Sequence, residues 1–276
     1  MKRISDPEKL CTLAKNIRID VVRSVTEAGS GHTGGSLGLA DVFTVLFFNV
    51  LNHRPSEPDW PDRDRLVLSI GHVAPVLYAS LAHAGYFDRN ELLTLRKLES
   101  RLQGHPGKEH GLPGIELSSG SLGQGLSVAV GLALGAKIDR KDRRVYSVHG
   151  DGELQEGSIW EAAMSAAHYK LDNLIAIVDR NYVQIDGNTE DVMAIEPLAD
   201  KWRSFGWEVF ACNGNSPADL LNAFDKARNV LGKPSVIIAE TKMGYGVKSI
   251  EGDCRWHGKA PAKEQAQEFI RELRAL

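Results

Sequence analysis

Cysteine is scarce, with only Cys11, Cys212 and Cys254 among 276 residues and no C-x-x-C pair. This spacing excludes a zinc ribbon or a disulfide framework and suits a reducing, cytoplasmic setting. An excess of one charge is also lacking. The formal net charge of −3 gives no field that would gather nucleic acid or an anionic membrane, so neither is expected as a partner. A polyanionic ligand must then be held by local geometry or by a metal. The longest apolar run, Leu122 to Ile138, is broken by Gln124, Ser127 and four glycines, and reads as a buried helix, not a membrane span. The N-terminal stretch lacks the continuous apolar core of a signal peptide. It spaces Leu10, Leu13, Ala14, Ile17 and Val21 as a helix does. There is no repeat of fixed period and no low-complexity tract.

What remains is an ordinary globular composition, 42% hydrophobic and 25% charged, long enough for one large α/β domain. Short β-branched runs at 65–70, 144–149, 174–179, 207–210 and 235–240 read as strands buried on both faces. Helical patterns separate them, such as Ile159, Trp160, Ala163, Met164 and Ala167. That alternation predicts βαβ units around a mostly parallel sheet with helices on both faces. The Pro-rich segment 52–65 and the charged DRKDRR at 139–144 read as a loop and a solvated connection. In such sheets ligands sit beyond the carboxyl ends of the strands.

At one such end the sequence VHGDGEL, 148–154, sets a single acid between two glycines. Asn181 stands 30 residues after Asp151, just past the next predicted strand, a distance that fits one helix and one returning strand. Neighbouring strands lie roughly 4.8 Å apart, so Asp151 and Asn181 would emerge side by side and offer oxygens to one point. A hard cation suits that point, because magnesium takes oxygen ligands and completes its shell with water and substrate phosphates. Gly150 and Gly152 would let backbone N–H groups approach a diphosphate, with the helix starting near Glu156 aimed at it. A tight turn with a helix-capping aspartate would use the same residues.

The longer stretch GDGELQEGSIWEAAMSAAHYKLDNLIAIVDRNYVQIDG resembles the thiamine diphosphate signature, in which GDG, a helix, an apolar strand and an Asn-containing turn follow in order. Four more ordered segments extend the likeness over nearly the whole chain: SGHTGGSLGLAD, RDRLVLSIGHVAPVLYASL, GHPGKEHGLPGIELSSGSLGQGLSVAVGLAL and MGYGVKSIEGDCRWHGKAP. Together they resemble transketolase. Thr33 and Ser121 stand where that family usually has proline. A dinucleotide-binding loop is a poorer reading of GSLGQG, whose spacing is G-x-x-G-x-G and which follows no convincing strand.

The resemblance implies a single diphosphate-binding domain over 1–276, with Mg²⁺ or Ca²⁺ ligated by Asp151, Asn181 and the Val183 carbonyl. The Gly152 N–H should contact the diphosphate of thiamine diphosphate, Gly120 the aminopyrimidine, and Leu122 and Ile185 the thiazolium ring. His32, His72, His105 and His257 form the implied catalytic set, since ketose cleavage must remove the C3 hydroxyl proton and neutral imidazole suits that work near pH 7. His32 and His257 would serve the donor hydroxyl and acceptor carbonyl, His105 the C1 hydroxyl, and His72 the region near the diphosphate. The other five, His53, His83, His110, His149 and His168, are expected to be structural or solvated. Glu156 resembles an interface acid, although a first-turn glutamate favoured by the helix dipole explains it too.

The family's pyrimidine-binding domain has no counterpart among these segments. The chain is therefore expected to be the N-terminal subunit of a split, cytoplasmic transketolase that works on sugar phosphates. Its partner would be a C-terminal subunit carrying that domain, in an α2β2 heterotetramer. The alternatives are a transketolase-like subunit for an unusual sugar, a related thiamine-dependent synthase or dehydrogenase subunit, and a non-catalytic module retaining the fold.

Overall fold

The computed structural model describes residues 3–276. The first helix, α1 (Pro7–Ala28), starts where Asp6 accepts the Glu8 and Lys9 N–H groups and Pro7 presets the first turn, and it stops at left-handed Gly29. Its Leu10, Ala14, Ile17 and Val21 are fully buried, as their spacing predicts. Two short helices, α2 (Thr33–Gly38) and α3 (Ala40–Val45), follow, then strand β1 (Arg65–Leu68) and α4 (Ala74–Ala84). The next units are α5 (Gly125–Ile138), β2 (Val145–Gly150), α6 (Gly157–His168) and β3 (Leu174–Arg180). A two-residue ribbon, β4 (Val183–Gln184) with β5 (Gly187–Asn188), precedes α7 (Thr189–Met193) and α8 (Leu198–Ser204). The chain closes with β6 (Glu208–Asn213), α9 (Pro217–Arg228), β7 (Ser235–Glu240) and α10 (Lys263–Ala275).

The main sheet is parallel throughout, in the order β1-β2-β3-β7-β6. Alternation along its strands builds two cores. Tyr146, Val148, Ile175, Ile177 and Ile237 face the side covered by α1, α3, α4, α9 and α10, while Val145, Leu174, Ala176, Val178 and Val236 face α5, α6 and α8. Truncating a central residue such as Ile177 to Ala would cost about 2–5 kcal/mol. Among the described residues no helix is long and apolar enough to cross a membrane.

Two sequence expectations need correction. The run 207–210 is not a strand buried on both faces: the strand is Glu208–Asn213, at the sheet edge, where one side lacks a neighbour and most residues stay partly exposed. The run Leu122–Ile138 is not a wholly buried helix either. Its first residues form a loop, helix begins at Gly125, and one face reaches solvent, with Ile138 72% exposed.

Candidate active site

Strands β2 and β3 end level, with Gly150 opposite Asp179, so the residues after each tip meet. The Asp151 N–H donates to the Asp179 carbonyl at 3.1 Å. Asp151 is buried; its Oδ2 accepts from Arg180 at 2.9 Å and from the Tyr182 N–H at 2.8 Å. Its Oδ1 accepts from the Gly152 N–H at 2.8 Å. This departs from the expectation that the Gly152 N–H points at a diphosphate. Asn181 donates through Nδ2 to Asp179 Oδ2 at 2.7 Å, which fixes its amide, and its Oδ1 accepts from the Val183 N–H at 2.9 Å. Burial pushes the Asp151 carboxyl up, against the pull of the Arg180 guanidinium. Burial also lifts Asp179 to about 7, opposed by its Thr241 and Asn181 hydrogen bonds and reinforced by the Asp151 charge.

The two glycines of GDG have packing reasons. A methyl group on Gly150 would lie 3.2 Å from Ile70 Cγ2, and one on Gly152 would lie 2.7 Å from Gln184 Oε1. One turn of 3-10 helix, Gly152–Gln155, intervenes before α6, so Glu156 is the N-cap of α6 and is exposed at the site rim.

The histidines converge from four separate segments. His32 caps α2, His72 sits in the turn after β1, His105 in the loop before α5, and His257 in the turn before α10. Ring centroids lie 5.2 Å apart for His32 and His72, 5.9 Å for His32 and His105, 5.7 Å for His32 and His257, and 4.9 Å for His72 and His257. Burial and mutual repulsion lower His32 to about 4 and His72 to about 3. Burial also lowers His105 and His257. All four imidazoles are therefore neutral near pH 7. His32 Nδ1 is buried without a hydrogen-bond partner.

A single cavity of about 330 Å³ is lined by His32, His72, His105, His257, Gly120, Leu122, Asp151, Gly152, Glu156, Asn181, Val183 and Ile185. Sequence analysis had singled out all twelve. Leu122 and Ile185, 36% and 68% exposed, form its apolar open flank. An adjoining open depression of about 680 Å³ shares His105 and Gly120 and adds Arg96, Gln103 and Ser119.

Sequence reasoning missed three groups. Arg180 is 1% exposed and binds Asp151, Glu190 at 2.7 Å and Glu196 at 2.9 Å; its only signal was a cation between two polar residues at a strand tip. Thr33, noted only as a departure from proline, donates to the Lys259 carbonyl at 2.6 Å and ties the His32 and His257 segments together. Glu153, with no assigned role, lies fully buried against His149. His53 and His83 are structural as expected: His53 lies 2.7 Å from the Phe47 carbonyl and His83 lies 2.8 Å from Asp20.

The parallel sheet thus brings Asp151 and Asn181 from adjacent strand tips to one cavity that the Gly-rich loop also lines, in an α/β domain with its site at the carboxyl ends of the strands. The family model for the transketolase thiamine diphosphate binding domain matches residues 10–274. One subunit of the apulose-4-phosphate transketolase of Phocaeicola vulgatus is 44% identical over 253 residues, 92% of this chain and 89% of the relative. A 6-deoxy-6-sulfo-D-fructose transketolase subunit of a Clostridium species is 42% identical over 260 residues, 94% of each. The transketolase structure from Leishmania mexicana superposes with a TM-score of 0.90 at 35% identity, covering 96% of this chain. The present chain spans only 41% of that structure's chain and 43% of human transketolase, to which it is 40% identical. The chain belongs to the transketolase family, as its thiamine diphosphate-binding domain.

Proposed function

We propose that this chain is the diphosphate-binding half of a two-chain transketolase, which moves a two-carbon ketol unit from a ketose phosphate to an aldose phosphate. The carrying observation is the single cavity that joins the Asp151 and Asn181 strand tips to four lowered-pKa histidines. The two-chain arrangement is supported by relatives that are themselves named as single subunits of apulose-4-phosphate transketolases, of which this chain spans 89% and 91%. Its partner is a subunit carrying the pyrimidine-binding domain, in an α2β2 assembly with Glu156 at the interface. The setting is cytoplasmic, in keeping with three cysteines that form no disulfide.

Among the described residues no group of three or more His, Cys, Asp and Glu is placed to hold a metal. The donor set read from the sequence has one carboxylate, one amide oxygen and one carbonyl, which suits Mg²⁺ or Ca²⁺ sharing its shell with a diphosphate. The residues fit such an ion. Asp151 Oδ1 accepts one N–H and keeps a lone pair that a cation could take. Asn181 Oδ1 and the Val183 carbonyl complete the protein's share. When bound, thiamine diphosphate supplies the electron sink for the carbanion left by C–C cleavage. The protein's part is placement and proton transfer. Leu122 and Ile185 would flank the thiazolium ring and the Gly120 backbone would meet the aminopyrimidine, as all three line the cavity. His32 and His257 would take and return the proton at the donor C3 hydroxyl and acceptor carbonyl, His105 would hold the C1 hydroxyl, and His72 would act beside the diphosphate.

An unusual sugar is the second reading, favoured by the two relatives named for apulose 4-phosphate and for a sulfonated fructose. The test of the main proposal is reconstitution. The purified chain should show no ketol transfer until a pyrimidine-domain subunit is added, and robust turnover by the chain alone would refute the two-chain reading.

A further inference from the structure

Glu153 follows Asp151 by two residues, is 2% exposed, and reaches the Gly-rich loop. Its Oε1 accepts the Gly123 N–H at 2.8 Å and the Ser69 hydroxyl. The Ser69 oxygen in turn accepts the Gly125 N–H at 3.0 Å, at the first residue of α5. One carboxylate thereby holds both ends of the turn that leads into α5. The other oxygen, Oε2, lies 3.0 Å from His149 Nδ1, and His149 Nε2 lies 2.9 Å from Ser147 Oγ, with both side chains fully buried. An unpaired carboxylate would not persist at this depth. The three donors arranged round it make it a charged anchor.

The turn has little freedom without that anchor's geometry. Gly123 is left-handed at φ 83°, and a methyl group there would lie 2.7 Å from both Glu156 Cβ and Ser158 Oγ. Ser158 also donates to the Gly123 carbonyl at 2.9 Å. Gly120 and Leu122, just upstream, line the same cavity as Asp151.

From this geometry we infer that Glu153 is a positioning residue, which fixes the Gly-rich loop carrying Gly120 and Leu122 in register with the Asp151 strand tip. It joins the ring-facing and diphosphate-facing walls of the cavity through one side chain. The inference rests on the thiamine diphosphate reading for what the loop contacts; the hydrogen-bonded clamp itself does not depend on that reading.

Glutamine and leucine separate the hydrogen bond from the shape. In Glu153→Gln the amide oxygen keeps Gly123 and Ser69, while its NH₂ faces His149 Nδ1, which accepts in the other tautomer as Nε2–H donates to Ser147. In Glu153→Leu the Gly123 and Ser69 donors lose their acceptor. Amide exchange at Gly123 and Gly125 in the full chain should accelerate about tenfold or more in Glu153→Leu and stay within about twofold of wild type in Glu153→Gln. Titration of the assembled complex with thiamine diphosphate and Mg²⁺ should give a dissociation constant raised about tenfold in the leucine variant and restored in the glutamine variant. Unchanged exchange in Glu153→Leu, equal loss in both variants, or faster exchange with unchanged cofactor affinity would each overturn the inference. A wild-type complex that binds no thiamine diphosphate would instead overturn the functional reading and the cofactor part of this one, with the exchange arm still deciding the clamp.

Discussion

Acid should weaken the fold through its histidine cluster, and His32→Gln should remove a measurable share of that loss. His32 moves from an ordinary 6.5 to about 4, first by burial and then by repulsion from His257, His105 and Arg96. Between those values the unfolded chain binds a proton that the folded chain refuses, so stability falls as pH falls through this window and is fully present above it. At roughly 1.4 kcal/mol per pH unit the full interval is worth about 3 kcal/mol, and water reaching the open cavity brings the share expected by pH 4.5 to about 2 kcal/mol. Asp179 acts in the opposite direction. Its carboxyl is raised from 3.8 to about 7, so its contribution is present at low pH and is lost as pH rises through about 7. Wild type alone would mix the two, whereas the difference between wild type and His32→Gln cancels the Asp179 contribution and reads His32 with its repulsion on the neighbouring imidazoles. Urea unfolding followed by circular dichroism at pH 7, 6, 5 and 4.5 should show the two stability curves converging toward acid by about 2 kcal/mol. Parallel curves would refute the assignment of a suppressed, neutral His32.

Two further perturbations test the supports of the site. Arg180→Met leaves Asp151 buried without its cation, while Glu190 and Glu196 relax into water; unfolding free energy should fall by about 3–5 kcal/mol, and a variant as stable as wild type would show that Arg180 does not neutralise Asp151. Thr33→Val keeps the shape and removes the bond to the Lys259 carbonyl, so it should cost about 1 kcal/mol in urea unfolding, and no change would show that this tie is dispensable.

The strands and their parallel direction were legible from local rules, whereas most of the cavity lining was legible through the ordered segments that resemble transketolase. Apolar β-branched runs such as LIAIVD suit a strand buried on both faces, and the strand tips of a parallel sheet gather their loops at one end. The edge position of β6 was not legible, because strand order cannot be read from the run WEVF itself and only the pairing with β7 alone exposes its other side. Arg180, Glu153 and Thr33 escaped notice because their partners are distant in sequence. Arg180 reaches Asp151 across 29 residues, Glu153 reaches Ser69 across 84, and Thr33 reaches Lys259 across 226. His149 reads as a bystander until its strand brings it over Glu153.

The most direct measurement is calorimetric titration of thiamine diphosphate into the complex assembled with Asp151→Asn, with and without Mg²⁺. Removing the only carboxylate in the donor set should eliminate the Mg²⁺-dependent gain in affinity and weaken binding by roughly 10–100-fold. Full wild-type affinity with an intact Mg²⁺ response would show that this strand tip does not hold the cation.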